Sequence, residues 1–337
     1  MKKWAVIAAA LSLALAACSN EEDKEATSIE ENEASQLTVY TTIYPLEYFA
    51  ERIGGDTVNV ESIMPAGADE HTYEPTTKTI LELAEADLFL YNGLNLEPFA
   101  EKAEETLAGE DVKIVNVGEH VDVEVDSHEG HSHEDETTHE EVTEDGHAHE
   151  DETTEGGHDH EHGGVDPHIW IDPMLAIEIA SVVKDELVTL NPDGKGTYNE
   201  NFKSLKTDLE SLDEQFHKMT DAAEQKEILV SHAAYGYWEE SYGIEQLSIA
   251  GLSSTEEPSQ KELKEIADTA TKHDIKYVIF EQNITPKVAK VIQNEIGADS
   301  LRLHNLSTLT EEDIENGEDY FSIMEKNIET LKTALAK

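Results

Sequence analysis

The sequence predicts an α/β protein of two lobes with mainly parallel sheets, joined by one long rigid helix, with a metal site in the cleft between the lobes. Three observations predict it. Short β-branched and apolar runs alternate with helical patterns in two separate series, the order expected of parallel sheets covered by helices. Between the series Tyr198, Phe202, Leu205, Leu209, Leu212, Phe216 and Met219 recur at spacings of four and three, one face of a single long helix. Ten of the sixteen histidines crowd into residues 120–162, and three others fall at predicted strand or loop ends.

Residues 1–17 read as an export signal: Met1, Lys2 and Lys3 are a basic start, and residues 4–17 are an apolar run too short to span a bilayer. The stretch Leu15-Ala16-Ala17-Cys18 resembles the lipobox of bacterial lipoproteins, which implies cleavage before Cys18 and lipidation of that residue. A lone cysteine in an exported chain has no disulfide partner, which agrees with that role. Residues 18–36 are polar, acidic and free of aromatic side chains, as a tether would be.

The first lobe is expected over residues 37–192, with strands at 37–42, 58–63, 86–91 and 113–117 and helices at 45–53, 76–85 and 97–107. Asn191-Pro192-Asp193-Gly194 stops the helix before it, so the linking helix is expected over 193–224. The second lobe, 225–337, repeats the theme with strands at 227–231, 244–249, 276–280 and 301–304 and helices at 258–273, 286–296 and 318–336.

Charge narrows the partners. With 75 acidic against 23 basic residues the formal net charge is −52, which argues against nucleic acid and anionic membrane surfaces and for cations. Within 120–162 the histidines stand among Asp and Glu, and no Lys or Arg occurs between Lys113 and Lys184. His128, His131, His133, His147, His149, His158, His160 and His162 are spaced so that pairs two apart reach one ion from a flexible segment. Imidazole suits Zn²⁺, Cu²⁺ and Ni²⁺. The low apolar content predicts a loop without its own core, an auxiliary metal collector and not the main site.

A specific site is expected outside the carboxyl ends of the strands. His71 follows the Pro/Gly loop 64–70, His168 sits in 166–173 just before a helix, and His232 ends the strand at 227–231. Each alone reads as structural; jointly, in a chain with a histidine tract, they read as ligands. His217 and His273 read as solvated surface positions and His304 as a packed histidine in the last strand.

Together with the lipobox and the joining helix, Gly67-Ala-Asp-Glu-His-Thr-Tyr-Glu-Pro75, Asp166-Pro-His-Ile-Trp-Ile-Asp-Pro173 and Ser231-His-Ala-Ala-Tyr235 resemble the cluster A-I metal-binding lipoproteins of bacterial ABC transporters, zinc-uptake type. The likeness covers essentially the whole exported body. It implies that His71, His168 and His232 are metal ligands, that Zn²⁺ is captured outside the cell as transported cargo, and that the ion passes to an ABC permease and its ATPase. Such a receptor is a monomer anchored by lipid to the outer face of the membrane.

Three imidazoles and one oxygen suit tetrahedral Zn²⁺, whereas Mn²⁺ prefers carboxylate-rich shells. For the fourth position, relatives use a carboxylate in the loop after the last strand, where 303–307 offers Ser307 instead; Glu70 or a water is the expected donor, and Glu281 is a weaker candidate that orients the cleft. Tyr73, Trp170 and Tyr235 stand beside the ligands. Two other readings use the same residues: a surface metal buffer or adhesin, in which only the tract matters, and a zinc hydrolase. Against the latter, the chain has no His-Glu-x-x-His helix and no Gly-x-Ser-x-Gly elbow.

Overall fold

Two four-stranded, all-parallel sheets of the same strand order carry the computed structural model. It describes residues 36–123 and 165–336, which all lie in one compact unit. The export signal, Cys18, most of the tether and the tract histidines from His128 to His162 fall outside the described residues.

In the first sheet β1 (Leu37–Thr41) and β3 (Leu88–Tyr91) are central, flanked by β2 (Val58–Ser62) and β4 (Lys113–Asn116), in the order β2-β1-β3-β4. In the second, β5 (Glu227–Val230) and β7 (Tyr277–Phe280) are central between β6 (Glu245–Ser248) and β8 (Asp299–Arg302), in the order β6-β5-β7-β8. Composition explains which strands go inside. Leu88-Phe-Leu-Tyr91 is buried throughout and Val278-Ile-Phe280 likewise, as a strand covered on both faces requires. Val58-Asn-Val-Glu-Ser62 alternates and takes an edge.

Around the first sheet stand α1 (Tyr44–Gly54), α2 (Thr77–Ala84), α3 (Ala100–Leu107) and α4 (Pro173–Leu190). The long helix α5 runs Lys195–Ala222 after a short turn at Pro192–Gly194. Its predicted stripe is its buried face: Tyr198, Leu205, Leu209, Leu212, Phe216 and Met219 are buried and Phe202 is half-buried. That face packs on α1 and α4 of the first lobe and on α6 (Gly236–Tyr242) and α10 (Tyr320–Ala334) of the second. The second lobe is completed by α7 (Gln260–Lys272), α8 (Lys287–Ile296) and α9 (Glu311–Asn316).

One apolar cluster runs through both lobes, from Val39 and Phe49 through α5 to Val230 and Ile279, and a smaller one lies under α7 and α8. The chain's last helix adds a second link between lobes. Tyr320 stacks on Tyr48 with ring centroids 6.0 Å apart and lies 5.2 Å from Phe49.

Local differences from the sequence reading have local causes. The third helix begins at Ala100 and not at 97, because Glu97 turns inward and accepts hydrogen bonds from Thr42 Oγ1 (2.5 Å) and from the Asn92 and Gly93 N–H groups (2.9 and 3.1 Å). The last strand ends at Arg302, so His304 is not in it: its N–H donates to Asn327 Oδ1 (2.9 Å) and its Nε2 pairs with Asp313 (3.1 Å). His273 caps α7 half-buried against Glu227, whereas His217 is exposed as expected. Helices α6 and α9 were not expected; both are short, too brief for a helical period to stand out.

Because α5 welds the lobes through a continuous buried stripe, Leu209→Ala is expected to cost about 2–5 kcal/mol, and Glu210→Ala on its exposed face less than about 0.5 kcal/mol. Urea unfolding of the two variants checks the contrast.

Candidate metal centre

The loops that leave the carboxyl ends of β2 and β5 and the segment before α4 bring the three singled-out histidines together. His71 comes from the loop after β2, His168 from the segment before α4, and His232 from the residue following Ser231 after β5. Their imidazole centroids lie 5.6 Å (His71 to His168), 5.5 Å (His71 to His232) and 4.9 Å (His168 to His232) apart. One ring nitrogen from each falls within 4.8 Å of the other two, and these three form the only such group of ligating side chains among the described residues. Tetrahedral Zn²⁺ holds its nitrogens about 3.3 Å apart at Zn–N distances of about 2.0–2.1 Å, so the rings need close by about 1.5 Å at most.

Each histidine is seated differently. His168 is fully buried; Asp166 Oδ1 accepts both its N–H (2.9 Å) and its Nδ1–H (2.7 Å). With the proton fixed on Nδ1, the lone pair of Nε2 is free to bind a cation, and that nitrogen is buried with no hydrogen-bond partner. The Asp166-Pro-His168 segment is clamped from both lobes. Asn92 Nδ2 donates to Pro167 O (2.9 Å), and the Tyr237 hydroxyl donates to Asp166 O (2.7 Å). Gly236 leaves room for this carboxylate, since a Cβ on it would stand 2.5 Å from Asp166 Oδ2 and push it aside.

His71 rides on the loop over 64–75. Gly67 takes the left-handed conformation (φ +72°), and its N–H donates to Leu309 O (2.9 Å). Asn283 and Thr308 donate to Ala68 O (3.1 and 3.0 Å), and Ser254 donates to Asp69 Oδ2 (2.8 Å), so the second lobe holds this loop of the first. His71 Nε2, too, is buried without a partner. Burial, with His168 and His232 beside it, pulls the His71 imidazole down to about 3.

His232 is a donor at both nitrogens, Nδ1–H to Glu281 Oε1 (2.9 Å) and Nε2–H to Leu252 O (3.1 Å). Burial alone would lower it, but the Glu281 carboxylate, helped by Glu70, outweighs burial and pushes it up to about 9. Glu281 in turn is pushed up by burial and held below its ordinary value by His232, His168 and Asn305.

Glu70 is buried, with Oε1 accepting from Asn305 Nδ2 (3.2 Å) and Oε2 unpartnered. Burial and the nearby Glu281 raise it to about 8. It borders the three-histidine group without belonging to it. Ser307 Oγ donates to Asn305 Oδ1 (3.0 Å). Trp170 lies 5.3 Å from the His168 ring and donates its indole N–H to Asn305 O (2.6 Å); Tyr73 donates to Ile63 O (2.7 Å); the Tyr235 hydroxyl is buried and unpartnered. The roles of Asp166, Leu252 and Asn305 were not read from the sequence. Asp166 two residues before a histidine is a local signal that was available; for Leu252 and Asn305 only spatial proximity reveals them.

These shifts set a pH dependence. His232 is raised from an ordinary 6.5 to about 9 and Glu70 from 4.5 to about 8, so each adds stability below its ordinary value that is lost as pH rises through the raised one. The metal-free protein is therefore expected to melt at lower temperature at pH 9 than at pH 6. A divalent ion taken up by the three histidines must displace the His232 proton, so zinc is expected to raise the melting temperature more at pH 9 than at pH 6. Paired melts at the two pH values check this.

Comparison with known proteins agrees with the geometry. The family model described as "Zinc-uptake complex component A periplasmic" matches residues 39–334. A zinc-binding lipoprotein of Streptococcus pneumoniae, AdcA, is 34% identical over 98% of this chain; the chain spans 61% of that relative's length. The high-affinity zinc uptake system protein ZnuA of Bacillus subtilis is 33% identical over 99% of this chain and 98% of its own. The Zn(II)-bound ZnuA-like domain of Streptococcus pneumoniae AdcA superposes with a TM-score of 0.69 at 31% identity, covering 90% of this chain and all of that one. The chain belongs to the family of periplasmic zinc-uptake complex component A proteins.

Proposed function

We propose that the protein is the high-affinity zinc receptor of an ABC importer: it captures extracellular Zn²⁺ between its lobes and delivers it to a membrane permease driven by an ATPase. His71, His168 and His232 are the ligands, with Glu70 or a water as the fourth donor. The observation that carries this reading is the convergence of three imidazoles from both lobes, two of them with buried, unpartnered Nε2 atoms. A buried polar atom without a partner is costly, and a shared cation removes that cost from several atoms together. The zinc-bound relative supports the choice of metal.

The protein acts as a monomeric receptor and not as a catalyst. The chain carries neither the His-Glu-x-x-His helix nor the Gly-x-Ser-x-Gly elbow of hydrolases, and its family is that of a zinc-uptake component. The lipobox at Cys18 and the lipoprotein relative support anchoring by lipid at the outer face of the membrane. No helix among the described residues is long and apolar enough to cross a membrane. The tract that includes His128, His131, His133, His147, His149, His158, His160 and His162 collects zinc ahead of the cleft, and its acidic setting draws cations toward it.

Zinc titration of the protein lacking its signal, with and without residues 120–162, tests the reading. One tight ion independent of the tract is expected, and His168→Ala is expected to weaken it by more than the ~100-fold that loss of a ligand's supporting partner can cost. Loss of all tight binding with the tract would instead make the protein a surface metal buffer.

A further inference from the structure

Asn305 lies just beyond β8, 1% exposed, in the loop from which the sequence offers no ligating carboxylate. Its bonds nonetheless reach the surroundings of all three proposed ligands. Its Nδ2 donates to Glu281 Oε1 (3.0 Å), the atom that receives the His232 Nδ1–H, and to Glu70 Oε1 (3.2 Å), on the residue preceding His71. Its main-chain carbonyl accepts the indole N–H of Trp170, whose ring stands 5.3 Å from that of His168.

The orientation of the amide is fixed by its neighbours. Oδ1 accepts from the Ser307 N–H (3.1 Å), the Ser307 hydroxyl (3.0 Å) and Gln282 Nε2 (2.9 Å). A main-chain N–H can only donate, so the oxygen must face Ser307 and the NH₂ group must face the two carboxyl groups.

We propose that Asn305 is a positioning residue of the metal centre, whose amide donor holds Glu70 and Glu281 together and thereby aims His232 and the His71 loop at the ion. This rests on the zinc site proposed above. Both carboxyl groups are buried, and without a donor between them each loses a partner and faces the other across a medium that screens poorly. Glu281 then no longer holds the His232 ring in place, and Glu70 is no longer fixed beside His71. The loop after β8 thus contributes to the site through a bridging amide.

Asn305→Asp tests it, because the side chain keeps its size, the Oδ1 acceptor and the main-chain bonds while the donor becomes an acceptor. The expected result is a zinc dissociation constant raised about 10- to 100-fold, measured by competition with a chromophoric chelator, with a changed ligand-field spectrum when Co²⁺ is the probe. Asn305→Ala, which removes the donor without adding charge, is expected to weaken zinc in the same direction. Unchanged or tighter zinc binding in folded Asn305→Asp and Asn305→Ala would overturn the inference, as would weakened zinc binding with an unaltered Co²⁺ ligand-field spectrum, which would make general packing the cause. If the unaltered protein binds no tract-independent zinc, the zinc-site reading itself fails, a result distinct from either.

Discussion

Three imidazoles and two carboxyl groups share one largely buried pocket, and the surrounding structure is organised to make that tolerable. A buried ion is stable only when paired and hydrogen-bonded, and a buried polar atom only when satisfied. In the metal-free protein the His232 and Glu281 pair meets this demand, with Asn305 donating to Glu281 as well. His71 Nε2, His168 Nε2, Glu70 Oε2 and the Tyr235 hydroxyl do not meet it. Unsatisfied polar atoms concentrated around three imidazoles are the physical signature of a cation site.

Holding such a cluster in place takes more than the residues in it. Glu97, itself buried and pushed up to about 7 by burial, accepts the Asn92 N–H, and the Asn92 side chain fixes Pro167 beside His168. Asp172 accepts the first N–H groups of α4 (2.8 and 3.0 Å) and the Ser241 hydroxyl (2.6 Å), so the helix that follows His168 is tied to α6 of the other lobe. The Trp238 indole donates to Ile171 O (2.9 Å) across the same boundary. These bonds cross between lobes near the site, while α5 and α10 join the lobes along their length. Relative movement of the lobes would therefore be felt first at the three histidines.

Charge acts on two scales. Over the full sequence the net charge of −52 makes a field that attracts cations from a distance, though salt screens it beyond about 8–10 Å. Inside the pocket burial holds Glu70 protonated up to about pH 8, so the negative charge there is that of Glu281, and the Asn305 amide donates to both groups. An acidic exterior gathers divalent ions without regard to kind; the imidazole donors inside favour zinc over the harder cations.

Much of this was legible in the sequence because it is local. Short apolar and β-branched runs gave the strands, and the four-and-three spacing of 198–219 gave α5 and its buried face. The three histidines stood out because His71 follows a Pro/Gly loop, His168 stands just before a helix and His232 ends a strand, and parallel sheets collect ligands at such ends. What tertiary structure alone decided is which distant groups meet. Glu281 is 49 residues from His232, Asn305 is 235 from Glu70, and Ser254 is 185 from Asp69. A hydrogen bond at those separations leaves no periodicity or spacing in the chain, since its partners are brought together by the packing of two sheets. The ends of short elements were decided in the same way: Glu97 left its expected helix for Thr42, and His304 left its expected strand for Asn327, because a buried partner outweighed a local preference.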